Sequence, residues 1–186
     1  MTIEKKELFI SVDVETSGPI PGDFSLLSFG ACLIGNEEKT FQCEVKPVNM
    51  NADPKALEIT GLSLDTLLKT GLTPLEAMES FDVWLKGLSN ENVSLVFVGF
   101  NAPFDWSFIN YYFIKYLGKN PFGFSALDIK ALYMGTTGCT WSDTRSSQIS
   151  NHLHPKGEGD HNPLHDALYQ AEIFKLVRKI RPACPR

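Results

Sequence analysis

Residues 8–14 alternate on an apolar background, the two-residue period of a strand with distinct faces. A second strand is expected over 26–34, and Gly35-Asn36 turns it into a third over 40–45. Three strands joined by so little chain predict an antiparallel meander. Pro19, Pro21 and Gly22 make the first connection a stiff loop that cannot continue a ladder. From Asp53-Pro54 the period changes. Helices are expected over 56–59, 63–68 and 74–88, the last with Thr73 as N-cap and Pro74 in its first turn. Residues 93–98 form a wholly apolar run, as expected for a strand buried on both faces. A helix over 103–117 follows, then a short strand leading into another helix across 127–133, and a further short helix over 146–153. A glycine-containing loop at 154–160 precedes a last strong helix over 163–180.

That order predicts an α/β fold: a mixed sheet with helices on its faces, in one domain spanning 1–186 with a core of about 8–180. Hydrophobic residues are 43% and charged residues 21%, which suits a soluble globular chain with a real core. No apolar run is long enough to span a membrane. The N-terminus carries acids and has no apolar h-region, so no secretory signal is expected. Cys32, Cys43, Cys139 and Cys184 are far apart and read as idle thiols in a reducing, cytoplasmic setting. A net charge of −5 argues against tight, salt-driven binding of long duplex nucleic acid, but it allows a short single strand to be held locally.

Four acids sit among apolar neighbours. Asp13 and Glu15 are two apart on the first strand and share a face, while Val12 and Val14 point into the opposite layer. Asp105 falls in the first turn of a helix just after the apolar strand, on the stripe of Phe108, Ile109 and Tyr112. Asp166 falls in the first turn of the last helix, behind Asn162 as N-cap and Pro163, and heads the stripe of Tyr169, Ile173, Val177 and Ile180. Each acid alone could complement a helix dipole or end a strand in solvent. Together they cannot stay charged without help. Two like charges about 4 Å apart cost roughly 4 kcal/mol at an effective dielectric of 20, against a typical net stability of about 5–15 kcal/mol. Converging acids must be protonated or bound to cations, and hard oxygen ligands suit Mg²⁺ or Mn²⁺.

His161 ends the glycine loop just ahead of Asn162, where an imidazole acting as a base could activate water over Asp166. The four histidines His152, His154, His161 and His165 crowd one stretch, but their spacing matches no usual zinc pattern.

Asp-Val-Glu-Thr-Ser-Gly at 13–18, Asn-Ala-Pro-Phe-Asp at 101–105 and His-x4-Asp at 161–166 resemble the three motifs of the DEDDh 3′→5′ exonucleases. That superfamily includes ribonuclease T, oligoribonuclease and the proofreading epsilon subunit of bacterial replicative polymerase. The resemblance implies a ribonuclease H-like, five-stranded mixed sheet flanked by helices. It implies two Mg²⁺ or Mn²⁺ ions held by Asp13, Glu15, Asp105 and Asp166, with His161 as general base. The substrate it implies is the 3′ end of single-stranded DNA or RNA, released as nucleoside 5′-monophosphates. Thr16, Ser17, Asn101 and Phe104 would then contact the terminal nucleotide. Phe24, Trp106 and Tyr112 are candidate stacking walls. A homodimer or a polymerase partner stays open. The competing reading is an idle exonuclease-fold module that binds nucleic acid or serves a polymerase.

Overall fold

The computed structural model describes residues 6–89 and 92–180. Most of the acidic N-terminal stretch and Cys184 lie outside them.

Five strands form one sheet in the order β3-β2-β1-β4-β5. β1 (Lys6–Thr16) is central and longer than its hydrophobic pattern predicts, because it has a different neighbour along each half. Residues 6–11 pair with β4 (Val93–Gly99) in parallel, and residues 10–16 pair with β2 (Leu26–Leu33) antiparallel. β3 (Asn36–Glu44) continues the meander, and β5 (Ala126–Asp128) lies parallel to β4. The turn between β2 and β3 is Ile34-Gly35, one residue earlier than expected, with Gly35 at φ 95°. Glycine adopts that angle at no steric cost, so the chain reverses there and Asn36 already pairs.

β4 departs from the expected two-sided burial. Only Phe97, Val98 and Gly99 are buried, because its first residues pair with the exposed start of β1, at Lys6 and Glu7.

The two faces of the sheet carry different layers. Ile10, Val12 and Val14 pack with Phe29 and Phe97 beneath α3 (Pro74–Leu88) and α4 (Ala102–Leu117). Phe9, Val96 and Val98 pack on the other side under α5 (Ile129–Thr137) and α7 (Pro163–Val177). α1 (Pro54–Thr60), α2 (Leu64–Thr70) and α6 (Ser146–Leu153) are short, and a 3-10 turn, Trp141–Thr144, was not legible in the pattern. α3 begins as expected, with Thr73 and Glu76 capping each other's backbone N–H groups. α7 stops at Val177 rather than 180. Its last turns tighten into Lys179 N to Leu176 O and Ile180 N to Val177 O bonds.

No described helix is long and apolar enough to cross a membrane. Burial pushes the Cys32 and Cys43 thiols up to about 12, so both are inert.

Candidate active site

The site forms where β1 outlasts β4. Parallel pairing of these strands ends at Ser11 and Val98, and β4 then leaves the sheet for α4. No described strand pairs with that edge of β1 beyond Ser11. Asp105, in the first turn of α4, fills the gap: its Oδ1 accepts from Val14 N at 3.1 Å. Asn101 turns the chain into α4 with left-handed angles, φ 65° and ψ 43°, and its side chain caps nothing. The cap is supplied instead by Asp128, which accepts from Ala102 N at 2.7 Å and from Ala131 N at 2.7 Å. One carboxylate at the end of β5 therefore serves the starts of both α4 and α5.

Asp13 and Glu15 face α7, opposite Val12 and Val14. α7 can reach them because Gly30 lies beside Asp13 on β2. A Cβ at Gly30 would fall 2.4 Å from both Leu164 N and Pro163 C, so the first turn of α7 rests directly on the strand. Asn162 caps that turn, accepting from Leu164 N and His165 N as expected. Asp166 thereby meets Glu15, and one ligand atom each from Glu15, His161 and Asp166 lies within 4.8 Å of the other two.

The four acids lie near enough to act on one another's charge, and the tight group among the described residues is Glu15, Asp166 and His161. Burial holds the Asp13 carboxyl well above the usual range, and Asp105, Asp166 and Glu15 push it further, while a hydrogen bond from Gln170 opposes them. Burial and then Asp166 raise Glu15 to about 7. Burial, with Glu15 and Asp128 adding, raises Asp105 to about 8 despite the Val14 N–H. Such shifts mark acids whose ionised forms are disfavoured until positive charge arrives. The donors are hard carboxylate oxygens plus one imidazole, a set that fits a divalent cation.

His161 stands exposed at φ 62°, on a loop drawn down onto α7. Glu172 accepts from Lys156 N at 3.0 Å and Gly157 N at 3.2 Å, and Asp166 accepts from Asp160 N at 2.9 Å. The Asp160 carboxylate meets the His165 ring at 2.8 Å. His152 bonds Tyr133 Oη at 2.6 Å, so His152 and His165 have other partners. A cleft of about 680 Å³ opens from Asp13 and Asp166 past Phe100, Lys156 and Tyr169.

The flanking residues divide. Thr16 and Ser17 are buried beside Glu15; Thr16 Oγ1 donates to Gly18 O, and Ser17 Oγ donates to Asn51 O while accepting from Ser25 N. The loop after them is braced by Asn49 and Asn51 amides on Gly22 O and Asp23 O. Phe24 folds against Gly18, where a Cβ would lie 2.3 Å from its ring. Phe104 is half-buried, 5.5 Å from the Phe108 ring, and Asn101 is exposed. Of the expected stacking walls, Tyr112 is core and Trp106 is half-buried against the core. Tyr112 is fully buried and accepts from Leu26 N, and Trp106 packs edge-on against Phe97 and Phe122. Tyr112 lies on the inward stripe of α4, and Trp106 at its margin packs on the same layer beneath the sheet.

A sequence model of an exonuclease family, RNase_T, matches residues 10–174. The chain is also 54% identical over 175 residues to the 3′-5′ DNA exonuclease Cap18 of Escherichia coli, covering 94% of each protein. The chain belongs to the RNase_T exonuclease family. Among solved structures, it resembles the nuclease domain of 3′hExo bound to rAMP, with a TM-score of 0.75, 17% identity and 96% of each chain covered. It likewise resembles E. coli exonuclease I in complex with a dT13 oligonucleotide, with a TM-score of 0.71 and 18% identity over 95% of this chain and 42% of that one. At such identities the likeness is one of fold, and it agrees with the ribonuclease H-like sheet.

Three contributors to this exonuclease's site were missed in the sequence. Gln170 donates to Asp13 Oδ1 at 2.5 Å and accepts from Phe100 N at 2.9 Å. Its place four residues after Asp166 was a signal, since that spacing shares a helix face. Asp128 and Glu172 act on backbone N–H groups distant in sequence, which no local pattern reveals.

Proposed function

We propose that this exonuclease hydrolyses the terminal phosphodiester at the 3′ end of single-stranded DNA, releasing nucleoside 5′-monophosphates, with two Mg²⁺ or Mn²⁺ ions. The carrying observation is the gathering of Asp13, Glu15 and Asp105 with Asp166, three of them with carboxyls raised by burial and mutual repulsion. Asp13, Glu15, Asp105 and Asp166 would hold the ions. Bound there, the ions supply positive charge that ionises the acids, polarises the phosphoryl oxygens and stabilises the leaving oxygen. His161 takes the proton of the attacking water as its oxygen bonds to phosphorus and the bond to the 3′ oxygen breaks. The loop pinned by Glu172 and Asp166 keeps that ring over the acids. Thr16, Asn101 and Phe104 border the terminal nucleotide, and Ser17 shapes this wall by fixing the loop at 18–24.

DNA is favoured over RNA by the 54% identity to a protein named a DNA exonuclease. A single strand suits the protein's net charge of −5, which offers little electrostatic hold on long duplex. We take the chain as one exonuclease domain with its core over about 8–180, working inside the cell. The complete set of four acids and a histidine disfavours an idle binding module.

A digestion panel tests the reading: 5′-labelled DNA and RNA, single- and double-stranded, with Mg²⁺, with Mn²⁺ and with EDTA. Single-stranded DNA should shorten stepwise from its 3′ end, yield 5′-monophosphates and stop with EDTA. Cleavage that ignores chelation, or products bearing 3′-phosphates, would refute the proposed chemistry. Faster loss of RNA would overturn the substrate choice alone.

A further inference from the structure

Gln170 is a buried carboxamide tied at both ends to the site, and hydrolysis as described gives it no task. Its orientation is fixed by chemistry. Phe100 N can only donate, so the Gln170 oxygen must face it at 2.9 Å, and the amide nitrogen must then face Asp13 Oδ1 at 2.5 Å. The reverse orientation would oppose two donors at one end and two acceptors at the other. The side chain therefore joins three segments that arrive from distant parts of the sequence. It sits one helical turn after Asp166, holds the end of β4 one residue before Asn101, and reaches Asp13 on β1.

We propose that Gln170 is a positioning residue for the cation site, resting on the function proposed above. It occupies one oxygen of Asp13, a residue that lines the cleft, so that Asp13 is held in one rotamer before a cation arrives. The same side chain keeps Phe100 N satisfied where β4 leaves the sheet, so Asp13 and the turn toward Asp105 hold a constant separation. Partners that orient a metal-binding carboxylate typically change affinity or activity about 10–100-fold when removed.

Two variants of the full chain separate positioning from plain packing. Gln170→Met removes both hydrogen bonds at similar volume. Gln170→Glu keeps an acceptor for Phe100 N but has no amide N–H for Asp13. Mn²⁺ binding is titrated without substrate, alongside melting temperature, kcat and KM. Both variants should bind Mn²⁺ about 10–100-fold more weakly than wild type and lose kcat far more than KM. Gln170→Glu should do so with less thermal destabilisation than Gln170→Met. If Gln170→Glu binds Mn²⁺ like wild type, only the Phe100 brace matters and the proposal is wrong. Should Gln170→Met fail to fold, Gln170→Glu alone decides. Asp13→Asn is the control: if it and wild type bind Mn²⁺ alike, the proposed cation site itself has failed.

Discussion

His161 holds a backbone angle that few side chains tolerate, φ 62°, and histidine is among those that reach it at least cost. The loop is kept there by Glu172 and by Asp166 itself, so the ring's placement depends on its neighbours and not on its own rotamer alone. If His161 removes the water's proton, His161→Ala should lower kcat at least ~100-fold in steady-state digestion. The melting temperature should stay near wild type, since the ring is exposed. An unchanged kcat would remove His161 from the chemistry. At this scale the sequence was informative where a residue type was out of place. Acids on inward helix stripes singled out Asp105 and Asp166, and an Asp-x-Glu pair on one strand face singled out Asp13 and Glu15. Gln170 escaped because a buried glutamine looks like any other polar residue on a helix until its partners are known. Tyr112 misled for the opposite reason, as an aromatic on an inward stripe reads equally well as core or as a wall.

The seam between β2 and α7 sets how closely Asp166 approaches Asp13 and Glu15. Gly30 is its contact point, and nothing larger fits: backbone atoms of residues 163 and 164 occupy the place of a Cβ at 2.4 Å. Backbone cannot rotate away as a side chain would. Gly30→Ala should therefore cost about 1–3 kcal/mol, the usual range for overpacking, and should weaken activity by shifting the start of α7. Gly135→Ala in α5 is the matched control. Open space surrounds it, so the exchange should stabilise by roughly 0.5–1 kcal/mol. Thermal melts of the two variants decide, and equal melting temperatures would mean α7 does not rest on Gly30 as described. Strands and helices with clear periods and caps were legible, β1 to β3 and α3 above all. Their ends were less so, because β1 is prolonged by two different partners and α7 is stopped by its own tightening last turn. Burial of β4 was overestimated, since an apolar run does not reveal that its first half borders the exposed edge of the sheet.

For the whole molecule, three carboxyls held above their ordinary range make folding and charge oppose one another. The native state binds more protons than the unfolded chain between about pH 4, where free carboxyls titrate, and the raised values of about 7 for Glu15 and about 8 for Asp105. Stability without metal must then fall as pH rises through that window, the reverse of ordinary salt-bridged carboxylates. Cations that bind the ionised acids of the folded state should restore it, and more strongly at high pH, where fewer protons must be displaced. The direct measurement is the melting temperature of the chelated protein and of the protein with excess Mn²⁺, at pH 5.5 and at pH 8. The chelated protein should melt lower at pH 8 than at pH 5.5, and Mn²⁺ should raise the melting temperature mainly at pH 8. A chelated protein more stable at pH 8, with no response to Mn²⁺, would mean that these acids neither crowd one another nor bind cations.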